Sequence, residues 1–148
     1  MSTFERFFKN SKKLTDKGFI MKHNSGALYP QRFELSPQLN ISRVLTGLWQ
    51  IADIERKSGP MDKDKGADKL KAYFDSGFDT FDMADHYGTA EIIAGTLLKR
   101  FSALSPKPNI LTKWCPKPEK MTEDIVRKGI SERLKRLETA SIDLLQFH

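Results

Sequence analysis

Apolar positions along this chain change their period several times. From residue 32 onward, short apolar runs alternate with longer stretches in which apolar residues recur every third or fourth position. The first pattern belongs to strands and the second to amphipathic helices. Arg32–Leu35 and Gln38–Ile41 flank the turn pair Ser36-Pro37 and are expected to pair as a small hairpin. Ser42–Trp49 (SRVLTGLW) is apolar enough for a buried strand, whereas Ile51–Lys65, charged and broken by Gly59-Pro60, is expected to be a loop. Gly66–Ser76 sets Ala67, Leu70 and Phe74 at helical spacing, with Gly77 placed to terminate the helix. Phe78–Asp82 is a short β-prone run, and Thr89–Phe101 gathers Ile93, Leu97, Leu98 and Phe101 on one helical face.

After the proline-marked loop Ser105–Pro108, Asn109–Trp114 is expected to be a third strand. Thr122 opens a helix with Glu123 and Asp124 in its first turn and Arg133, Lys135 and Arg136 late, the polarity that suits the helix dipole. Its buried stripe is expected to run through Val126, Ile130, Leu134 and Leu137. Ile142–His148 closes the series as a fourth strand.

Strand and helix alternate from Ser42 to the end, which implies an α/β chain with a parallel sheet and crossover helices. Doubly wound sheets and eight-stranded barrels both fit. The first would show G-x-G-x-x-G, or the phosphate-binding G-x-x-x-x-G-K-[ST], at a strand-to-helix turn, and neither string occurs. The (β/α)8 barrel reading is left. Such a barrel takes about 250 residues, and this chain has 148. The expectation is a half-barrel over 32–148, in which the small hairpin precedes the first four strands, with a basic arm over 1–31 ahead of it. Alone, it would have two unpaired sheet edges, so a fragment of a longer protein, or a half that pairs with itself or another chain, is expected.

Charge is uneven. The net charge is +6, yet residues 1–40 hold 7 Lys and Arg against 3 Asp and Glu, so most of the surplus lies in the arm. Later cations alternate with acids as on a solvated helix face, which argues against nucleic-acid binding. Within Met1–Asn24, Phe4, Phe7, Phe8 and Leu14 stand among Arg6, Lys9, Lys12, Lys13 and Lys17. A partly ordered tail is the favoured reading, with organelle targeting or a membrane-surface helix as the competing ones. No apolar run reaches the length of a spanning helix. A single cysteine, Cys115, suits a reducing compartment, so a cytoplasmic location is expected.

In a barrel, catalytic groups collect at the C-terminal strand ends. There the second strand ends at Asp82, the third at Lys113, and the fourth at His148, with Tyr87 in the loop after Asp82. Each has a structural explanation on its own: a helix cap, a solvated lysine, a packed ring, the end of the chain. Their convergence on one rim is what carries information. His23, His86 and Cys115 show no metal-ligand spacing, so no metal is expected.

Phe78–Glu91 (FDTFDMADHYGTAE), Leu111–Trp114 (LTKW) and Ile142–His148 (IDLLQFH) resemble, in order and interval, the aldo-keto reductases, and SRVLTGLWQ resembles that family's first strand. The resemblance implies reduction of a small aldehyde or ketone to an alcohol by NADPH, with NADH left open, and without a metal. It places the family's catalytic tetrad on Asp82, Tyr87, Lys113 and His148. It also sets Gly47, Leu48, Trp49 and Asp82 against the cofactor. Trp49 and Trp114, at the ends of the first and third strands, are expected either to wall a substrate pocket or to pack on the rim. A carbonyl that takes hydride on carbon needs a proton on oxygen. Tyr87 would give it, Lys113 would stabilise the phenolate left behind, Asp82 would hold Lys113, and His148 would orient the carbonyl. Most of the family's cofactor contacts come from the other half of its barrel, so catalysis by this chain alone is in question. The alternative is a non-catalytic half-barrel serving as an interaction or dimerisation module.

Overall fold

A computed structural model describes residues 20–22, 28–52, 59 and 61–148. The arm ahead of Ile20 lies outside the described residues, as do residues 53–58 and 60 of the charged loop expected over 51–65. Two antiparallel pairs come first: β1 (Ile20–Lys22) with β2 (Leu28–Pro30), then β3 (Arg32–Ser36) with β4 (Leu39–Ser42). The second pair is the hairpin expected around Ser36-Pro37, with a register shift between Glu34 and Ser36. There follow β5 (Thr46–Gly47), α1 (Lys63–Asp75), β6 (Thr80–Asp82), α2 (Ala90–Arg100), β7 (Asn109–Trp114), α3 (Glu123–Leu137) and β8 (Leu144–Phe147).

The last four strands form one parallel sheet in chain order, β5-β6-β7-β8. Each new strand adds on the same side of the last, so the winding never reverses. That is the progression of a barrel, and a doubly wound sheet would break it. Helix α2 packs against both α1 and α3, and the core lies between these helices and the sheet, around Leu48, Phe81, Met83, Ile93 and Leu97.

Local signals account for the element ends. Asp62 caps α1, its carboxylate accepting the Lys65 N–H at 2.9 Å, so the helix starts three residues before Gly66. At the other end Gly77 has φ +85°. Its N–H donates to the Phe74 carbonyl and that of Phe78 to the Tyr73 carbonyl, the two bonds of a glycine-terminated helix. The first parallel strand is shorter than the expected Ser42–Trp49. Ser42 belongs instead to β4, where its N–H donates to Thr80 Oγ1 and its hydroxyl to the Val44 carbonyl, bending the chain before Thr46.

The hairpin is pegged to the N-terminal ends of β6 and β7. Arg32 Nη1 pairs with Asp79 Oδ2 at 2.6 Å, and Asn109 Nδ2 donates to the Asn40 carbonyl at 3.0 Å. The opposite ends of the strands stay open for chemistry. Among the described residues no helix is long and apolar enough to cross a membrane.

Candidate active site

Strand parity decides which side chains face which way. Phe81 and Met83 are fully buried in the core, so Asp82 between them points to the other face of the sheet. On β7, Thr112 Oγ1 donates to Glu91 of α2 and Trp114 lies against Gly129 of α3, so Lys113 between them shares the face of Asp82. Lys113 Nζ donates to both Asp82 carboxylate oxygens at 2.7 Å and to the Met83 carbonyl at 3.0 Å. With side chains 18% and 26% exposed, the two ions are partly withdrawn from water and strongly coupled.

The turn after β6 presents Tyr87. Its N–H donates to the Ala84 carbonyl, and its own carbonyl accepts from Ala90 at the start of α2. Lys113 Nζ stands 5.4 Å from the centre of the Tyr87 ring, and Trp49 meets that ring edge-on at 4.7 Å. The backbone N–H of His148 donates to the Trp114 carbonyl, continuing the β7–β8 ladder. The His148 ring then lies 6.4 Å from Tyr87 and 4.7 Å from His86. Asp82, Tyr87, Lys113, His148 and Trp49 are thus gathered on one rim.

Gly47 is exposed, with open space where a Cβ would stand. Leu48, expected beside the cofactor, is fully buried, its N–H donating to the Asp82 carbonyl and its carbonyl accepting from Ile51 and Ala52, so it offers nothing to a ligand. Trp114 turns away from the rim. It is next to Lys113 on an extended strand, so it takes the opposite face and packs against α3 and Phe147, 5.7 Å ring to ring. Among the described residues no three His, Cys, Asp or Glu side chains are grouped to hold a metal ion.

Behind Tyr87 lies a charged cluster that the apolar periodicity does not reveal. Glu91 is fully buried, and its Oε2 accepts from Arg136 Nε at 2.7 Å and Arg133 Nε at 3.2 Å. Asp85 Oδ2 accepts the Cys115 N–H at 2.9 Å and lies 3.5 Å from Arg133 Nη1, while its Oδ1 is 2.9 Å from His86 Nδ1. Burial pushes the Asp85 carboxyl up, but the Cys115 N–H, His86 and Arg133 together outweigh it and hold it below the usual carboxylate value. The buried line of α3 is accordingly Gly129, Arg133 and Leu137, with Val126, Ile130 and Leu134 half-buried beside it. Gly129 lets Trp114 come close, and Arg133 is buried because its partners are. An arginine four residues after a glycine and four before a leucine was the available sign.

The profile of the "Aldo/keto reductase family" matches residues 43–148. The chain belongs to the aldo/keto reductase family. A 6-dehydroglucose reductase of Agrobacterium fabrum is 39% identical over 85 residues, covering 56% of this chain and 27% of that protein. Another 6-dehydroglucose reductase, from Novosphingobium aromaticivorans, is 32% identical over 119 residues, covering 73% of this chain and 38% of the relative. The chain therefore spans well under half the length of these aldo/keto reductases. Among solved structures, an aldo-keto reductase from Klebsiella pneumoniae in complex with NADPH superposes with a TM-score of 0.62 at 18% identity, over 80% of this chain and 39% of that one. That likeness speaks to fold alone. The four parallel strands and three helices are part of an aldo/keto reductase barrel.

Proposed function

We propose that the protein takes part in reduction of an aldehyde or ketone to an alcohol with a reduced nicotinamide cofactor, and that Tyr87 is the proton donor. The observation that carries this reading is the Asp82–Lys113–Tyr87 arrangement: two ionic hydrogen bonds of 2.7 Å, with the ammonium 5.4 Å from the phenol ring. Family membership and the reductase names of the relatives support it. When bound, the cofactor supplies the hydride that adds to the carbonyl carbon. Tyr87 gives its hydroxyl proton to the carbonyl oxygen, and Lys113 stabilises the phenolate that remains. Asp82 holds Lys113 in place. His148 directs the carbonyl oxygen toward Tyr87. Trp49, edge-on to Tyr87, bounds an apolar side of the pocket.

The open space over Gly47, beside Trp49 and Tyr87, fits the flat nicotinamide end of the cofactor. Gly47, Trp49 and Asp82 would hold that end. NADPH is the cofactor to try first, because the Klebsiella pneumoniae reductase was solved with it. An oxidised sugar is a sensible first carbonyl compound, given the two relatives' names.

A second reading, an interaction or dimerisation module, is favoured by one feature. Phe147 is 72% exposed and stands on β8, a strand whose outer edge is unpaired among the described residues. Titration of NADPH into the purified chain, with its mass recorded in the same buffer, separates the two. Saturable NADPH binding is the expected result. A concentration-dependent dimer with no affinity for NADPH would favour the second reading instead.

A further inference from the structure

We infer that Arg136, acting with Arg133 and Glu91, is a positioning residue for Tyr87. This rests on the reading of Tyr87 as the proton donor. Glu91, on the first turn of α2, is fully buried, and a carboxylate out of water must be paired and hydrogen-bonded. Its Oε1 accepts from Thr112 of β7, and its Oε2 accepts from both arginines of α3. Each arginine then reaches the turn that presents Tyr87. Arg136 Nη2 donates to the Gly88 carbonyl, one residue after the tyrosine. Arg133 Nη1 lies 3.5 Å from Asp85 Oδ2, two residues before it.

The turn is therefore tied on both sides of Tyr87 to α3, through Arg133 and Arg136 paired with Glu91 and Asp85, with Glu132 also 3.6 Å from Arg133. Asp85 is fixed further by the Cys115 N–H on its carboxylate and by its own N–H, which donates to the Lys113 carbonyl at 2.9 Å. Gly88, with φ +51°, turns its carbonyl toward Arg136. Apolar side chains could fill the same volume without the cost of desolvating ions. What they could not do is hold a backbone carbonyl and a carboxylate at fixed positions. A planar guanidinium donates in two directions at once, to Glu91 and to Gly88. This directional tie keeps the Tyr87 ring against Trp49 and within reach of Lys113, and small displacements of a reacting group cost much in rate.

The test uses the full 148-residue chain with Arg136→Met, which keeps the stem and removes both hydrogen bonds, and Arg136→Lys, which keeps only the charge. The chain has 3 tyrosines, so the Tyr87 ring resonances are identified by their loss in Tyr87→Phe. In the wild type these signals should be displaced by the Trp49 and His86 rings, 4.7 and 4.9 Å away. In Arg136→Met they should move toward the positions of an unstructured tyrosine, while the core methyl signals stay. Arg136→Lys should restore the thermal midpoint without restoring the Tyr87 signals. With carbonyl reduction as a second readout, kcat should fall about 10- to 100-fold with KM nearly unchanged. Should Arg136→Met not fold, the lysine variant decides by the same signals. Tyr87 signals that keep their wild-type positions in a folded variant would overturn the inference. Normal reduction by Tyr87→Phe would instead reject the donor reading and leave the ring signals to be judged alone.

Discussion

Lys113 and Asp82 show how far a single pair can be pressed. Two short hydrogen bonds join them, and both are only partly exposed. Lys113→Met leaves the Asp82 carboxylate facing the pocket without its cation, and a half-buried acid so exposed costs about 1–3 kcal/mol. Urea unfolding should show this as a lower midpoint. The double variant Asp82→Leu with Lys113→Met should recover part of the loss, since removing both partners strands neither. If the double variant is as unstable as the sum of the singles, the pair is not coupled as the distances imply. Asp85 gives a second test. Its carboxyl is held below the ordinary Asp value of about 3.9. A lowered folded value adds stability that is fully present above the ordinary value and is lost as pH falls through the lowered one. Asp85→Asn should therefore be destabilised at neutral pH, with the gap to wild type closing below about pH 4. A gap that persists in acid would remove the charge from the explanation.

Among the elements, α2 and α3 approach closely enough to invert a general rule. Glycine to alanine inside a helix normally gains about 1 kcal/mol. At Gly95 an added Cβ would stand 2.7 Å from the carbonyl carbon and oxygen of Leu137 and 2.8 Å from the Arg136 carbonyl oxygen. Backbone at a helix end cannot step aside as a side chain can. Gly95→Ala should cost about 1–3 kcal/mol by forcing α2 off α3. Gly66→Ala, whose Cβ meets only the Ile93 side chain at 2.7 Å, should cost less. Equal stability for Gly95→Ala and wild type in urea would show that the two helices are not in this contact.

These elements were largely readable before folding, because apolar spacing and end signals such as Gly77 and Thr122 act locally. The phase of α3 was not. Arg133 counts as polar in any apolar pattern, and its burial depends on Glu91 and Asp85, 42 and 48 positions earlier in the chain. Trp114 misled for a related reason. Its place at a strand end suggested the pocket, but the alternation set by Lys113 sends it to α3.

For the molecule as a whole, strand order was legible from the alternation of strands and helices and from the missing phosphate-binding glycine strings. The hairpin's role was less so. That it plugs the N-terminal ends of β6 and β7 depends on Arg32, Asn40, Asp79 and Asn109, which are far apart in the chain. With the hairpin tied to that end, the proposed site lies at the other, where Asp82, Tyr87, Lys113 and His148 meet on the rim of an aldo/keto reductase sheet. The alternation pointed to those four residues, and their sequence context pointed to the family. The clamp behind Tyr87 came only from the fold.

The most direct test is the rate of oxidation of NADPH by an aldehyde or keto-sugar, for the full chain and for Tyr87→Phe side by side. The expected result is carbonyl-dependent turnover that falls about 100- to 10,000-fold when the phenol is removed, with the variant still folded. Equal carbonyl-dependent rates in the two proteins would contradict the assignment of Tyr87 as the proton donor of a carbonyl reductase.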